Sequence, residues 1–549
     1  MNLIFNGTLQ RYPRIRWILA HGGGFLPAIS GRLQALEQSP HYQAQGLDSV
    51  DSYLRGFYYD TALSPSRYSQ VALKHLVPQT QILFGSDFPF APAPLTALQR
   101  QTLDDSPLWD ESQRYAIYRG NAIGLWPALR PASQTQFVQT RRVAGRRRTQ
   151  PLRVVMKRRE FVTGMGLLMG ASMLSRGVFA SDIEPGLTVG ELRSGASGTT
   201  SSSALAGHFD VHQQVIPAAY AAALQARGID HFAGRTLAVD SAGQALSALG
   251  AEGSGCALLS LPAPGVWLGD GKGAAQLARD CNDQLAAFAA QQPQQLGWLA
   301  ALPLPDVDQA VAEAARALDQ LGADGVALVA SVDGRFLGDS EFDPLLAELN
   351  RREARVLVLP NLHPTSAELQ LDVPGFAVEQ ACDLTRAAVN LVLSGSMERY
   401  PAIRWILAEG GGFLPYAAWR VSLANAMPGF SELAPQGVMT YLRRFYFATS
   451  SLALPALAVL GELVELSRVL YARADQAAPP LAQAQQLGVW TAAELAGIRR
   501  GHALSLFPRF AQPGEVVVPA PVFTSETSLQ RLKRAAAQPL AALMQRMKD

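Results

Sequence analysis

Cysteine is almost missing from this chain. Its 549 residues contain three, Cys256, Cys281 and Cys382, and no CxxC pair, so neither a disulfide framework nor a zinc ribbon is available. Net charge is nearly absent too: 47 Lys+Arg stand against 45 Asp+Glu, a formal +2. That balance gives no reason to expect nucleic acid or an anionic membrane as partner. Charged residues are 17% of the chain and hydrophobic residues 48%, which excludes a disordered chain and a collagen-like fibre. No G-x-G-x-x-G is followed by an acid at the distance a dinucleotide site needs. Length alone predicts two to four folding units.

What is present first is a repeat. Asn2–Arg32, NLIFNGTLQRYPRIRWILAHGGGFLPAISGR, returns at Asn390–Arg420 as NLVLSGSMERYPAIRWILAEGGGFLPYAAWR, an offset of 388 with 19 of 31 positions identical. The same offset carries Tyr53–Phe57 onto Tyr441–Phe445, and Arg119-Gly-Asn-Ala-Ile reappears as Arg500-Gly-His-Ala-Leu after a net gap of seven. A repeat this long implies a duplicated ancestor. The first copy starts inside a pattern that the second reaches only after some 200 residues of its own, so residues 1–130 read as a C-terminal third and the second copy as complete.

Residues 131–155 form a basic linker with six arginines and no acid between Pro131 and Arg153. Residues 156–180 have a charged start, a short Gly-broken apolar middle and small residues before Ser181, the layout of a secretory signal; Arg158-Arg159 resembles the twin-arginine type. The apolar run is short and contains Arg176, against a stable membrane span. This places export to the periplasm on a start at Met156, with residues 1–155 a fused upstream remnant; translation from Met1 leaves the chain cytoplasmic. Residues 181–207 are a Gly/Ser/Thr-rich flexible linker, and residues 512–549 are a tail with a helical end.

From His208 onward, short apolar runs alternate with longer Ala/Leu-rich stretches. Strands are predicted at Phe209–Val211, Cys256–Leu261, Gly297–Leu302, Gly325–Val329, Val356–Leu359, Asn390–Leu393, Trp405–Ala408 and Val469–Tyr471, with helices such as Asp306–Leu321 and Pro344–Arg352 between them. Eight strand–helix units over residues 208–511 predict an α/β fold, a (β/α)8 TIM barrel with its site at the C-terminal strand ends, preceded by a partial copy of the same barrel.

The stretches AHGGGFLP, FYYDTA and ILFGSDFPF of the first copy resemble the C-terminal third of the amidohydrolase-related family, in particular the aminocarboxymuconate-semialdehyde decarboxylase group. The second copy adds Asp210-Val-His212, Arg279-x-x-Asn282, Leu302-Pro-Leu-Pro-Asp306 and Leu321-Gly-Ala-Asp-Gly325. The resemblance implies a divalent metal, zinc or manganese, held by an H-x-H on the first strand, a His on the fifth, a nearby His on the sixth and an Asp on the eighth. It implies metal-dependent hydrolysis or decarboxylation of a small carboxylated substrate, and leaves a homodimer open.

Carried onto this chain, the resemblance assigns His21 and Asp87 of the first copy to metal-site positions. In the second copy it assigns His212 and Glu409, and Asp475 by the unbroken offset, although a slip of one puts Ala474 there. Asp87, Asp475 and Glu409 are the candidates for proton handling. Gln214 stands where the second His of H-x-H would be, Leu359 where the fifth-strand His would be, and Ala448 opposite Asp60. A rebuilt site from His208, His212, Glu409 and Asp475 is one alternative. Arg279 and Arg386 are candidate partners for a substrate carboxylate or, equally, structural ion-pair residues. The first copy therefore has ligands without a scaffold, and the second a scaffold with eroded ligands. The competing expectation is a catalytically silent exported barrel kept for binding or as a relic.

Overall fold

The computed structural model describes residues 1–91, 93–129, 207–237, 254–369, 373–473 and 480–524. The signal-like segment, both linkers, the helical end of the tail and Asp475 lie outside the described residues.

The partial copy has three parallel strands, β1 (Ile18–Leu19), β2 (Tyr58–Asp60) and β3 (Ile82–Leu83), in the order β1-β2-β3. Helix α1 (Ser30–Ala35) follows the GGGF turn, and α2 (Arg67–Leu76) joins β2 to β3. Ser66 caps α2 by accepting from the Ser69 amide, which satisfies one of the orphan donors of a helix start.

The second copy is a closed barrel. Its strands are β4 (His208–Gln214), β5 (Ser254–Ser260), β6 (Leu296–Ala301), β7 (Gly325–Val329), β8 (Arg355–Leu359), β9 (Arg404–Leu407), β10 (Tyr446–Ala448) and β11 (Val469–Leu470), each parallel to the next. The Val211 amide donates to Tyr471 O at 3.1 Å, which joins the last strand to the first. Period-two alternation sorts the side chains. Phe209, Val211, Leu258, Leu299, Leu357, Ile406, Tyr446 and Leu470 share the interior cluster, which Phe507 and Phe510 complete. Their neighbours Leu259, Trp298, Val326, Val358, Leu407 and Phe447 pack outward against a helical layer that includes α3 (Gly271–Ala289), α4 (Val307–Ala315), α5 (Asp343–Arg351), α6 (Glu379–Leu393), α7 (Leu414–Ser422) and α8 (Leu454–Leu463).

Two strand expectations change. Asn390–Leu393 is the last turn of α6, whose buried Leu384, Ala387, Ala388, Leu391 and Val392 recur at helical spacing; an apolar run of four cannot by itself distinguish strand from helix. The missing strand is Tyr446–Ala448, three residues long and buried throughout.

Several motif residues hold the scaffold. Asn282, fully buried on α3, donates to Ala301 O and to Glu313, and accepts from the Ala301 amide at 2.9 Å. Asp324 accepts from the Trp298 amide and pairs with Arg509. Replacing Asn282 by Ala strands the buried Ala301 amide, while Glu313 keeps its bonds to Arg316, so Asn282→Ala is expected to lower unfolding free energy by about 1–3 kcal/mol in urea titrations. A loss below the scatter of such titrations would show the network to be dispensable.

Candidate functional site

The C-terminal strand ends of the barrel bring His212, Ser450 and Glu409 together. A bulge between Asp210 and Gln213 breaks the alternation set by Phe209 and Val211, and bulges of this kind re-aim side chains. Asp210, 2% exposed, fixes the turn by accepting from the His212 amide at 2.9 Å and the Arg473 amide at 3.4 Å. His212 Nδ1 meets Ser450 Oγ at 3.3 Å, and its Nε2 lies 3.1 Å from Gln214 Nε2. His212 therefore has a hydroxyl on one ring nitrogen and a side-chain amide on the other. Ser450 Oγ also accepts from the Glu409 amide at 3.2 Å and so ties the first strand to the sixth.

Glu409 follows β9 at the head of four consecutive left-handed residues, with φ of 50, 63, 72 and 69° at Glu409, Gly410, Gly411 and Gly412. The partial copy repeats the turn, with His21 at 57° and three glycines after it. A non-glycine residue held there is strained, and such strain concentrates at functional sites. The Glu409 carboxylate forms a buried ion pair with Arg32 of the partial copy, their side chains 6% and 2% exposed. Arg32 also donates to Phe376 O at 2.9 Å. Burial alone would push the Glu409 carboxyl upward, but the charges of Arg32, Arg235 and His212 outweigh it and hold it below the ordinary range. Arg235 lies over the Phe376 ring at 4.8 Å.

In the partial copy the His21 amide donates to Asp60 Oδ1 at 2.8 Å, and the ring Nδ1 is 3.0 Å from Ala62 O. A carbonyl only accepts, so Nδ1 bears the hydrogen. Asp87, also left-handed at φ 58°, follows β3. Pairing of Tyr59 with Ile82 and of Phe447 with Val469 sets the last strands of the two copies at an offset of 387. Ala474 and Asp475, which correspond to Asp87 at offsets of 387 and 388, both lie outside the described residues. Asn121 and His502 also correspond: the first donates to Ile82 O at 2.8 Å, and the second has Nδ1 3.0 Å from Val469 O.

Other candidates stand away from this cluster. His208 and His212 begin and nearly end β4, four residues and so about 13 Å apart, which separates them as co-ligands. Arg279 is exposed on α3 and faces Glu313 at 4.0 Å, and Arg386 is exposed on α6; both belong to the helical layer, not to the strand ends. His363 is half-buried, stacked on Phe336 and bonded to Thr365 and Gly334. Arg32, Arg235 and Ser450 were not singled out by motif. The available signal for Arg32 was that it ends the identical stretch of the repeat, paired with Arg420.

Leu359 closes β8, buried and apolar. With Leu261, Leu302, Leu304, Val329 and Trp267 it lines an apolar recess enclosing about 30 Å³ at the strand ends.

Among the described residues, which leave out positions 474–479, the donor set does not fit a resident metal ion. Among the described residues no three His, Cys, Asp or Glu side chains converge. The Glu409 carboxylate is neutralised by a guanidinium, whereas a metal needs its ligand free.

The sequence profile of the amidohydrolase family matches residues 1–128 and 255–537. The chain is 31% identical over 330 residues to the decarboxylase YanB of Aspergillus niger, covering 56% of this chain and 89% of that one. It is 34% identical over 264 residues to the 6-methylsalicylic acid decarboxylase of Penicillium expansum, covering 46% and 81%. Among solved structures, a dihydroxybenzoic acid decarboxylase from Polaromonas sp. JS666, determined with manganese and 2-nitroresorcinol, aligns with a TM-score of 0.49 at 22% identity over 56% of this chain and 99% of that one. The profile match spans most of the sequence, and this chain belongs to the amidohydrolase family.

Proposed function

We propose that the barrel is a non-oxidative decarboxylase acting on a small carboxylated aromatic compound. The observation that carries this reading is the pairing, at one end of the barrel, of an apolar recess with the His212–Ser450–Glu409 cluster. The recess supplies apolar walls but encloses only about one water's volume, so a ring lies across its mouth rather than inside it, and the positive charge of Arg235 draws an anionic substrate. The relatives that cover most of their own length here carry decarboxylase names, which supports the same class.

Decarboxylation replaces C–COO⁻ by C–H. A proton adds to the ring carbon bearing the carboxylate, the C–C bond breaks with its electrons returning to the ring, and carbon dioxide leaves. His212 is the group placed to hold that proton, oriented by Ser450 on one nitrogen and Gln214 on the other. The divalent metal that the family implies, zinc or manganese, finds no fitting donor set among the described residues, so no step is assigned to it.

The test is carbon dioxide release from salicylate, 6-methylsalicylate and 2,6-dihydroxybenzoate by the full chain, with and without manganese. Turnover of at least one is expected, with His212→Gln lowering kcat by roughly 100-fold or more, the scale of a lost general acid. Saturable binding without release, or an unaffected His212→Gln variant, would overturn the reading.

A further inference from the structure

The partial copy meets the barrel through surfaces that correspond to one another in the repeat. Helix α2 packs on α8, and the 388 offset maps Arg67–Leu76 onto 455–464, almost the whole of α8. Phe25 stacks on Phe413, its own counterpart, with ring centroids 4.6 Å apart and planes at 17°. An element meets its own equivalent only across a two-fold axis, and here two different elements do so.

The arginines follow the same symmetry. Arg32 reaches Glu409, while its counterpart Arg420 reaches Leu63 O at 3.4 Å, next to Ala62, whose carbonyl lies against His21. Arg32 thus reaches the turn after β9, and Arg420 reaches the loop after β2 of the partial copy, beside the carbonyl that His21 faces. The contact is also apolar and continuous: Tyr68, Val71 and Ala72 enter the core of the barrel, and Phe376, Ala377 and Val378 enter that of the partial copy. Arg67 donates to Glu462 at 3.0 Å, and Tyr416 to Gly22 O at 3.1 Å.

We infer that residues 1–129 are a resident second subunit: they cover in cis the face by which this barrel would pair with a copy of itself, and they supply Arg32 to the barrel's site. The partial copy has three of eight strands, enough to build the shared face and the arginine, and none of the first five that a site of its own would need. Glu409 explains why the attachment is retained. A buried carboxylate at that position requires a fixed cation, and the cation comes from the other copy.

The full chain carrying Phe25→Cys and Phe413→Cys, treated with a short bismaleimide, tests this directly. A link within one chain is expected, read as a single-chain band on a denaturing gel and a cross-linked peptide pair by mass spectrometry. A link between two chains, or no link with the circular dichroism of the unmodified protein, would overturn it. Phe413→Cys alone is expected to give no covalent dimer, because Phe25 covers the position; a dimer band would show that face open to a second chain.

Discussion

Replacing Arg32 by Met is expected to cost about 3–5 kcal/mol of stability, the usual result of leaving one partner of a buried ion pair uncompensated. Both side chains are almost inaccessible, and Arg32 holds Phe376 O as well as Glu409. The effect has a pH signature. In the intact chain the Glu409 carboxyl sits below its ordinary range despite the opposing pull of burial. Its contribution is therefore fully present above the unfolded value of about 4.3 and is lost as pH falls through the folded value. Without Arg32, desolvation dominates and the folded value rises above the unfolded one, so the variant gains relative stability as acid neutralises Glu409. The difference between the two proteins in urea titrations is expected to be greatest near neutrality and to shrink steadily towards about pH 4. A difference that stays level with pH would show that the loss came from packing of the long side chain alone. Glu409→Gln added to Arg32→Met removes the stranded charge, and recovery of part of the loss is expected.

The second large effect is expected at Gly412. Its φ of 69° lies in the left-handed region, and a Cβ built there would fall 2.4 Å from the carbonyl oxygen of Ala381 on α6. Backbone oxygen of a buried helix cannot step aside as a flexible side chain can. Combining about 1–2 kcal/mol for left-handed backbone with about 1–3 kcal/mol for overpacking gives a loss of roughly 2–5 kcal/mol for Gly412→Ala. Because the same turn carries Glu409, the variant is also expected to weaken the Arg32 pair, visible as a flatter pH dependence of stability. A Gly412→Ala protein with an unchanged urea midpoint would mean that α6 shifts freely, contrary to its buried position.

The barrel was legible because β5 to β9 are apolar runs of four to seven residues separated by helical spacing. Tyr446–Ala448 escaped notice because three residues carry no period. Asn390–Leu393 misled because an apolar, β-branched helix end has the same local composition as a strand. Within the site, His212 and Glu409 could be found from motif position, since strand period and the GGG turn place them. Arg32 could not, because its partner is 377 residues away in sequence and no local rule joins them. Arg279 and Arg386 show the converse. A conspicuous arginine in a family-like motif served the outer helices, where Arg279 faces Glu313 rather than a ligand.

The paired turns at His21 and Glu409 have a genetic consequence. In an assembly of identical chains, one codon change alters both sites at once, and an arginine that suits one residue must suit its duplicate. Here the two turns are encoded separately, so one retains an imidazole while the other has exchanged it for a carboxylate facing a guanidinium. Joining the halves released each from copying the other's mutations.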